Sequence, residues 1–313
     1  MAAAFEKGPV EVADGIWAYL QPDGGWGWSN AGLVTGGDHS LLIDTLFDLK
    51  LTDEMLRQLK RVSSSADRIG TVVNTHANGD HCFGNALFDG AEIIASQACA
   101  EEMVDVPPSR LAELMRAAPN LGSTGEFLRR IFGPFSFEGI ELLPPTRTFE
   151  GELDLRVGDR TVSLIEVGPA HTRGDVVVHL PAESVVFTGD ILFHGGHPIV
   201  WAGPVANWIG ACEKVLELGP AVIVPGHGPL AEASAVEALR SYFEWLTSEA
   251  RARYDAGMPV LDAALDIALD EYESWTERER LAVNVQALYR DFGAVELEEP
   301  LRLMATMASS LGA

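Results

Sequence analysis

Short apolar runs, separated by turns rich in glycine and aspartate, dominate the first third of the chain. Runs of this length that contain many β-branched residues predict strands rather than helices. The strands predicted in this part cover residues 10–12, 16–20, 31–35, 40–44, 69–74 and 91–96. One helix is predicted to begin at Thr52, because Met55 and Leu59 follow an acidic first turn at helical spacing.

A second set of apolar runs follows a stretch that is predicted to be helical and irregular. That stretch, residues 97–136, contains Pro107, Pro108 and Pro119, and we expect it to cover a site rather than join a sheet. The later predicted strands are residues 151–157, 161–167, 176–180, 184–189 and 221–224. Helical spacing predicts helices over residues 207–218, from 231 onward, over 260–269 and over 276–292.

Two β-rich halves with helices around them fit a pair of facing sheets. We therefore predict an α/β protein with a four-layer αββα sandwich. Residues 1–230 would form the main domain, and residues 231–313 a C-terminal helical extension. The apolar stripes of this extension suit a cap over the active site and a homodimer interface equally well.

The segment His76-Ala77-Asn78-Gly79-Asp80-His81 directly follows the apolar run that ends at Asn74. Two imidazoles and a carboxylate on one tight turn can converge on a divalent metal ion, because both groups are ligands of zinc, iron and manganese. The glycine before Asp80 permits an unusual backbone conformation in which these side chains point the same way.

Three later apolar runs lead to further candidate ligands, His171, Asp190 and His227. An ionised carboxylate after a buried strand requires a cation or hydrogen-bond donors. The six candidate metal ligands are His76, Asp80, His81, His171, Asp190 and His227. They are enough for two adjacent ions, and we predict a metal-dependent hydrolase with one or two Zn²⁺ ions, iron and manganese being alternatives.

The order of these segments resembles the metallo-β-lactamase superfamily, whose signature is a His-x-His-x-Asp-His turn followed by His, Asp and His on later strand ends. The resemblance runs from about residue 12 to about residue 230. It implies the lactamase-type sandwich and two metal sites, one at His76, Asn78 and His171, the other at Asp80, His81 and His227. Asp190 matches the aspartate that bridges the two metals.

Asn78 departs from the signature, because it stands where the family has the second histidine of the turn. A carboxamide oxygen is neutral and a weaker zinc ligand than imidazole. Three interpretations stay open: the enzyme uses one metal at the Asp80 site; Asn78 coordinates a metal or holds a water while two metals bind; or the chain has lost catalysis. The other ligands are all present, which argues against the third.

A narrower resemblance rests on the segment Gln21-Pro22-Asp23-Gly24, a tryptophan-rich hairpin, Asn78, and Phe193-His194-Gly195. These features resemble the lactamase-type cyclases and thioesterases of bacterial aromatic polyketide pathways. The resemblance implies hydrolysis of a thioester, lactone or related ester, with ring closure as an accompanying reaction. The implied substrate is a small molecule, aromatic or a poly-β-ketone.

Aromatic residues near the motifs suit a flat, apolar substrate. The predicted substrate contacts are Asn78, Trp26, Trp28, Phe193 and Trp201. The predicted catalytic residues are Asp80, as a ligand or as the acceptor that orients the attacking water, and His194, as a proton donor.

The composition limits the classes of binding partner and the compartment that we expect for this protein. The formal net charge of −24 argues against nucleic acid and against anionic membrane surfaces. The 3 cysteines are widely spaced and predict no disulfide framework, which favours the cytoplasm. No apolar run reaches the roughly 18 residues of a membrane span, and no signal peptide is predicted.

Two rival functions remain open at this point. Some members of the superfamily carry iron and act as oxidoreductases, and the one-iron version resembles a site on the first two histidines of the turn, which Asn78 alters. A non-catalytic protein that binds a small molecule in the same pocket would carry the same motifs.

Overall fold

Two β-sheets form the centre of the protein, in a computed structural model that describes residues 5–22, 24–37 and 39–312. Asp23, part of the narrower resemblance, lies outside the described residues. The first sheet contains, in spatial order, β1 Gly8–Ala13, β2 Ile16–Leu20, β3 Ala31–Gly36, β4 His39–Ile43, β5 Ile69–Val73, β6 Glu92–Ser96 and β7 Arg147–Phe149. The second contains β8 Glu152–Val157, β9 Arg160–Glu166, β10 Val176–Leu180, β11 Val185–Phe193 and β12 Val222–His227.

Strand direction places the candidate ligands at shared sheet edges. In the first sheet, β1 to β4 pair antiparallel and β4 to β7 pair parallel. In the second sheet, β11 and β12 are the parallel pair. Because parallel strands end at the same edge, the residues after β4 and β5 lie together, and so do those at the end of β11 and β12.

The alternation of side chains along the strands separates three apolar layers. In β4, Leu41 packs between the two sheets, whereas Leu42 faces the helices outside the first sheet. In β10, Val178 packs between the sheets, whereas Val177 faces the helices outside the second sheet. Three apolar layers separate four structural layers, so the predicted αββα sandwich is confirmed.

Most of the helices pack on the outer faces of the two sheets, and the short helix α2, Gly79–Cys82, lies at the edge that carries candidate ligands. The helices are α1 Leu49–Val62, α2 Gly79–Cys82, α3 Gln97–Glu102, α4 Pro108–Ala117, α5 Gly122–Phe132, α6 Val205–Glu217, α7 Ala233–Asp255, α8 Val260–Asp266, α9 Arg280–Phe292 and α10 Pro300–Ser310. Within the described ranges, none has the length and hydropathy that crossing a bilayer requires. The cytoplasmic location remains a prediction.

Local capping explains where the sequence-based boundaries were wrong. Helix α1 begins at Leu49 rather than Thr52, because the Asp48 side chain accepts a hydrogen bond from the Leu51 N–H at 2.8 Å. Helix α10 was not predicted at all. It begins where the Glu299 carboxylate accepts from the N–H groups of Leu301 and Arg302. The three-residue strand β7 was missed because it is too short to show a period.

The helices after residue 230 belong to the same apolar cluster as the outer face of the second sheet. Phe243 of α7 packs on Trp208 of α6, with ring centroids 4.8 Å apart. Leu281 of α9 and Leu303 of α10 are buried in this cluster as well. The segment therefore closes the second sheet from outside, and the predicted domain boundary at residue 230 remains a prediction.

Candidate metal centre and active site

The turn after β5 is fixed through its backbone. The Asn74 side-chain amide and the Thr45 N–H both donate to the His81 carbonyl at 2.9 Å. The Ser29 hydroxyl donates to the Asp80 carbonyl at 2.5 Å. These bonds anchor the short helix α2 from outside, so that Asp80 and His81 face the later strand ends.

Gly79 has a different role from the one predicted. It does not adopt a left-handed backbone conformation. A Cβ at this position would lie 2.5 Å from the Phe83 ring, far inside contact distance. The glycine is therefore required for close packing against Phe83, and the direction of the ligand side chains comes from the anchored backbone.

The six predicted ligands come together in two groups of three. In each group, His76 with His171 and Asp190, and Asp80 with His81 and His227, the ligand atoms lie within 4.8 Å of one another. Asp190 stands between the groups. Its carboxylate oxygens lie 3.6 Å from Nε2 of His76, 3.3 Å from that of His171, 3.1 Å from that of His81 and 3.5 Å from that of His227.

Two of the histidines are oriented by acceptors outside the centre. His171 Nδ1 lies 2.7 Å from the Ile199 carbonyl, and His81 Nδ1 lies 2.9 Å from the Asp44 carboxylate. Because both partners only accept, Nδ1 carries a proton in each ring, and Nε2 is the nitrogen that faces the centre. This is the arrangement in which an outer acceptor fixes a metal-ligating histidine.

Asp44 is a functional residue that the sequence reasoning missed. It follows β4 with φ at +59° and accepts from the Thr75 N–H and the Thr75 hydroxyl, each at 2.7 Å, as well as from His81. Burial raises the pKa of Asp44, although these donors act in the opposite direction. A carboxylate directly after an apolar strand was the signal used for Asp190, and the same signal was present here.

The two groups of candidate ligands differ in the pKa values of their histidines. Burial lowers the pKa of His171 to about 4, and burial with the neighbouring His81 holds the pKa of His76 well below its usual value. Burial also opposes protonation of His227, but Asp190 and Asp80 outweigh it and raise its pKa to about 9. His76 and His171 are therefore neutral at pH 7, as metal ligands must be.

The donor atoms fit a divalent metal better than they fit one another. Among the described residues, His76 Nε2, His81 Nε2 and Asp190 Oδ1 are buried without a hydrogen-bond partner. The last two are 3.1 Å apart but are not aligned for a hydrogen bond. Each unsatisfied atom costs about 1–3 kcal/mol, which a shared cation would offset. Two groups of nitrogen and carboxylate donors match one or two catalytic metals.

Asn78 contacts this centre through its amide. Its Nδ2 donates to His171 Nε2 at 2.9 Å. The asparagine thus occupies the lone pair that a metal at His76, His171 and Asp190 would use. It also lines the cavity described next, as predicted for a substrate contact.

The candidate metal centre forms part of the wall of a cavity of about 400 Å³. Of the predicted substrate contacts, Trp26, Phe193 and Trp201 line it together with Asn78. Residues from the 97–136 segment and from α10 form an apolar wall, namely Leu111, Leu114, Leu128, Ile131, Phe132, Leu301 and Met304. The cavity therefore suits a mostly apolar small molecule.

Two predicted site residues do not reach the cavity. Trp28 packs against Phe135, with ring centroids 4.9 Å apart, and does not line it. Strand β11 runs past Asp190 to Phe193 instead of ending at Gly189, and His194 follows directly. Phe193 faces the cavity, and the His194 ring instead donates from Nδ1 to the Pro229 carbonyl at 3.0 Å. The geometry gives no support to His194 as a proton donor.

Fold and site together define a class: an αββα protein whose candidate metal ligands gather where the edges of its two sheets meet. The sequence model described as the metallo-beta-lactamase superfamily matches residues 24–227. This match covers more than half of the chain, which therefore belongs to the metallo-beta-lactamase superfamily.

Several curated relatives are hydrolases. The acyl-coenzyme A thioesterase MBLAC2 of Bos taurus is 26% identical over 215 residues, covering 64% of this chain and 72% of the relative. The hydroxyacylglutathione hydrolase of Mesorhizobium japonicum is 26% identical over 200 residues, covering 63% of this chain and 70% of the relative. These similarities support a hydrolase of this superfamily.

Solved structures share the fold at low identity. The sec-alkylsulfatase Pisa1 from Pseudomonas sp. superimposes with a TM-score of 0.68 at 16% identity, covering 93% of this chain. The chain spans only 51% of the sulfatase. A metallo-beta-lactamase from Pontibacter korlensis has a TM-score of 0.56 at 18% identity and covers 76% of this chain. These likenesses concern the fold alone.

Proposed function

We propose that this protein is a metal-dependent thioesterase that acts on small acyl thioesters. One observation carries the proposal: each of the two groups of candidate ligands contributes side chains to the wall of an apolar cavity that is large enough for an acyl chain. The curated relatives point the same way, because acyl-coenzyme A and hydroxyacylglutathione are both thioesters.

Each part of the cavity has a task in this reaction. His76, His171 and Asp190 would hold one metal, and Asp80, His81 and His227 a second. A bound metal of this kind supplies Lewis acidity at a carbonyl oxygen and a lowered pKa for water. Asp80 orients the attacking water through its carboxylate, and the apolar wall binds the acyl group and excludes bulk water.

A thioester suits this site better than an oxygen ester. The His194 ring contacts the Pro229 carbonyl and does not line the cavity, so no contact supports it as the proton donor for a leaving alkoxide. A thiol leaving group has a pKa of about 8.5 and departs as a thiolate with little help from an acid. Zinc as the metal, ring closure, and an aromatic polyketide substrate stay predictions of the narrower resemblance.

We expect the metal-loaded protein to hydrolyse acyl thioesters faster than oxygen esters of the same acyl groups. The released thiol is measured with a chromogenic disulfide, across a series of acyl chain lengths. Chelation should abolish turnover, because the donor set fits a metal, and added Zn²⁺ should restore it. No thioester turnover by protein with stoichiometric metal would contradict the proposal.

We expect Asn78→His to tighten metal binding at the His76 group about 10-fold or more. The substitution removes the amide that bonds His171 Nε2 and supplies a third imidazole. Metal content is measured by mass spectrometry after dialysis against graded concentrations of a competing chelator. The wild type should lose one metal before the other, and the variant should retain both.

Asn207→His is the matched control, because Asn207 is exposed on α6. It adds an imidazole without reaching the centre, and it should leave metal retention unchanged. Equal retention curves for the wild type and Asn78→His would show that Asn78 does not limit the His76 group.

A further inference from the structure

Arg280, the first residue of α9, is a buried cation on the cavity wall. Only 1% of its surface is exposed, yet it lines the cavity beside the candidate metal centre. A fully buried charge is expensive unless it is paired. The next question is therefore whether neighbouring groups of the protein neutralise the guanidinium.

The protein pairs this charge only in part. Arg280 Nη1 donates to the His197 carbonyl at 2.9 Å, whereas Nε has no hydrogen-bond partner. The guanidinium carbon lies 4.2 Å from the centre of the Trp26 ring and 5.1 Å from that of Phe193. Cation–π contacts of this kind stabilise a cation but do not neutralise it.

No carboxylate of the described residues forms an ion pair with Arg280. The adjacent Glu279 is occupied elsewhere: its Oε1 accepts from Trp26 Nε1 at 3.0 Å and from Arg130 at 3.3 Å. The other nearby cation, Arg278, pairs with Glu273. Burial together with Arg280 lowers the pKa of His197 to about 3, so this histidine adds no charge of its own.

The position of Arg280 relates it directly to the reacting centre. The Phe193 ring stacks on the ligand His227 with an interplanar angle of 6° and a centroid distance of 5.1 Å. Arg280 also lies 5.1 Å from the centre of that ring. The guanidinium carbon and the centre of the His227 ring can therefore be no further apart than twice this distance.

Resting on the thioesterase proposal, we propose that Arg280 binds an oxyanion on the acyl group, and that the substrates are thioesters of carboxylated acids. An acyl carboxylate a few carbons from the thioester carbonyl spans the interval between His227 and Arg280. Binding of this carboxylate neutralises the buried guanidinium, and an acyl group that has no carboxylate leaves that charge unmatched.

Phosphates of a thiol carrier are a second source of oxyanions. Arg110, which is exposed on the cavity wall, lies nearer to solvent than Arg280.

The test compares adipyl and hexanoyl thioesters of N-acetylcysteamine, a thiol without charge or phosphate. We expect the wild type to prefer the adipyl thioester in kcat/KM by about 10-fold or more. Arg280→Gln should raise KM for the adipyl thioester about 10-fold and change hexanoyl hydrolysis by less than about threefold. Arg280→Lys, which keeps the charge, should restore part of the preference.

Arg130→Gln is the matched control, because it breaks the neighbouring ion pair with Glu279 without removing the Arg280 guanidinium. It should change both substrates by the same factor. An equal loss for both substrates in Arg280→Gln would assign Arg280 a structural role and overturn the inference. Equal wild-type rates on both thioesters would overturn it too, with the thioesterase proposal intact.

Failure of the thioesterase proposal would show as no turnover of either substrate. Calorimetric binding of free adipate and hexanoate then decides the inference independently. Adipate should bind to the wild type more tightly than hexanoate, and Arg280→Gln should lose that difference. Equal binding of the two acids, or an unchanged difference in the variant, would reject the oxyanion site.

Discussion

Asp80→Asn is expected to lower kcat/KM for thioester hydrolysis by about 1,000-fold or more, while the protein stays folded. The Asp80 carboxylate lies 3.3 Å from His227 Nε2 and belongs to the second ligand group. The amide removes its negative charge, and with it a metal ligand and the acceptor for the attacking water. Loss of a positioned base alone costs about 100- to 10,000-fold.

The measurement pairs steady-state kinetics with thermal unfolding and metal content. Asp80 reaches the cavity, and among the described residues no backbone N–H donates to its carboxylate, so the unfolding midpoint should change little. Asp154→Asn is the control, because Asp154 is exposed on β8 and accepts only from Ser163 among the described residues. Full activity in Asp80→Asn with wild-type metal content would reject the assigned role.

The layers of this fold could be predicted because each strand carries its own burial pattern. Leu41, Leu42 and Ile43 alternate between two apolar layers. Such a run indicates a strand even when the neighbouring strands are not known. Helix α10 could not be found in this way. Its start depends on the Glu299 cap, and the buried face that carries Leu303 packs on distant residues. A local pattern does not show such contacts.

The candidate metal ligands were visible because each one is a histidine or aspartate that follows or ends an apolar run. Arg280 was not, because a charged residue at the start of a helix is ordinarily exposed, and the local sequence does not show that α9 is buried from Arg280 to Tyr289. Only the fold brings α9 against Trp26 and Phe193. His194 is close to Asp190 in sequence, but it lies past the end of a strand longer than the one predicted, and its role as a proton donor stays a prediction.

The acidic composition affects which partners the protein surface can bind, but it does not set the local charge inside the cavity. A net charge of −24 disfavours polyanions at the surface, whereas Arg280 offers one positive charge inside the apolar cavity. An anionic substrate is therefore compatible with an acidic protein, because the local charge at the binding group decides its affinity. The absence of nucleic-acid and membrane partners, and a homodimer, stay predictions.

Asp44→Ala is expected to lower activity about 100-fold and to destabilise the protein by about 3 kcal/mol or more. The carboxylate accepts three hydrogen bonds, from the Thr75 N–H, the Thr75 hydroxyl and His81 Nδ1. Each buried group left unpaired costs about 1–3 kcal/mol. Alanine at a φ of +59° adds about 1–2 kcal/mol of backbone strain.

The substitution also affects metal binding. Without the hydrogen bond to Asp44, the His81 ring is no longer held with Nε2 toward Asp80 and Asp190, and metal affinity is expected to fall about 10- to 100-fold.

Two variants separate the metal effect from the loss of stability. Asp48→Ala removes another buried carboxylate, one that accepts from Leu51 and Ser136 backbone and touches no ligand histidine. It should lower the midpoint of chemical unfolding but leave metal affinity as in the wild type. Asp44→Asn tolerates the positive φ and keeps one acceptor oxygen, so it should recover much of the stability but less of the metal affinity. If Asp48→Ala weakened metal binding as much as Asp44→Ala, the effect would be general loosening of the fold. A selective loss in Asp44→Ala would show that the residue after β4 sets the geometry of His81.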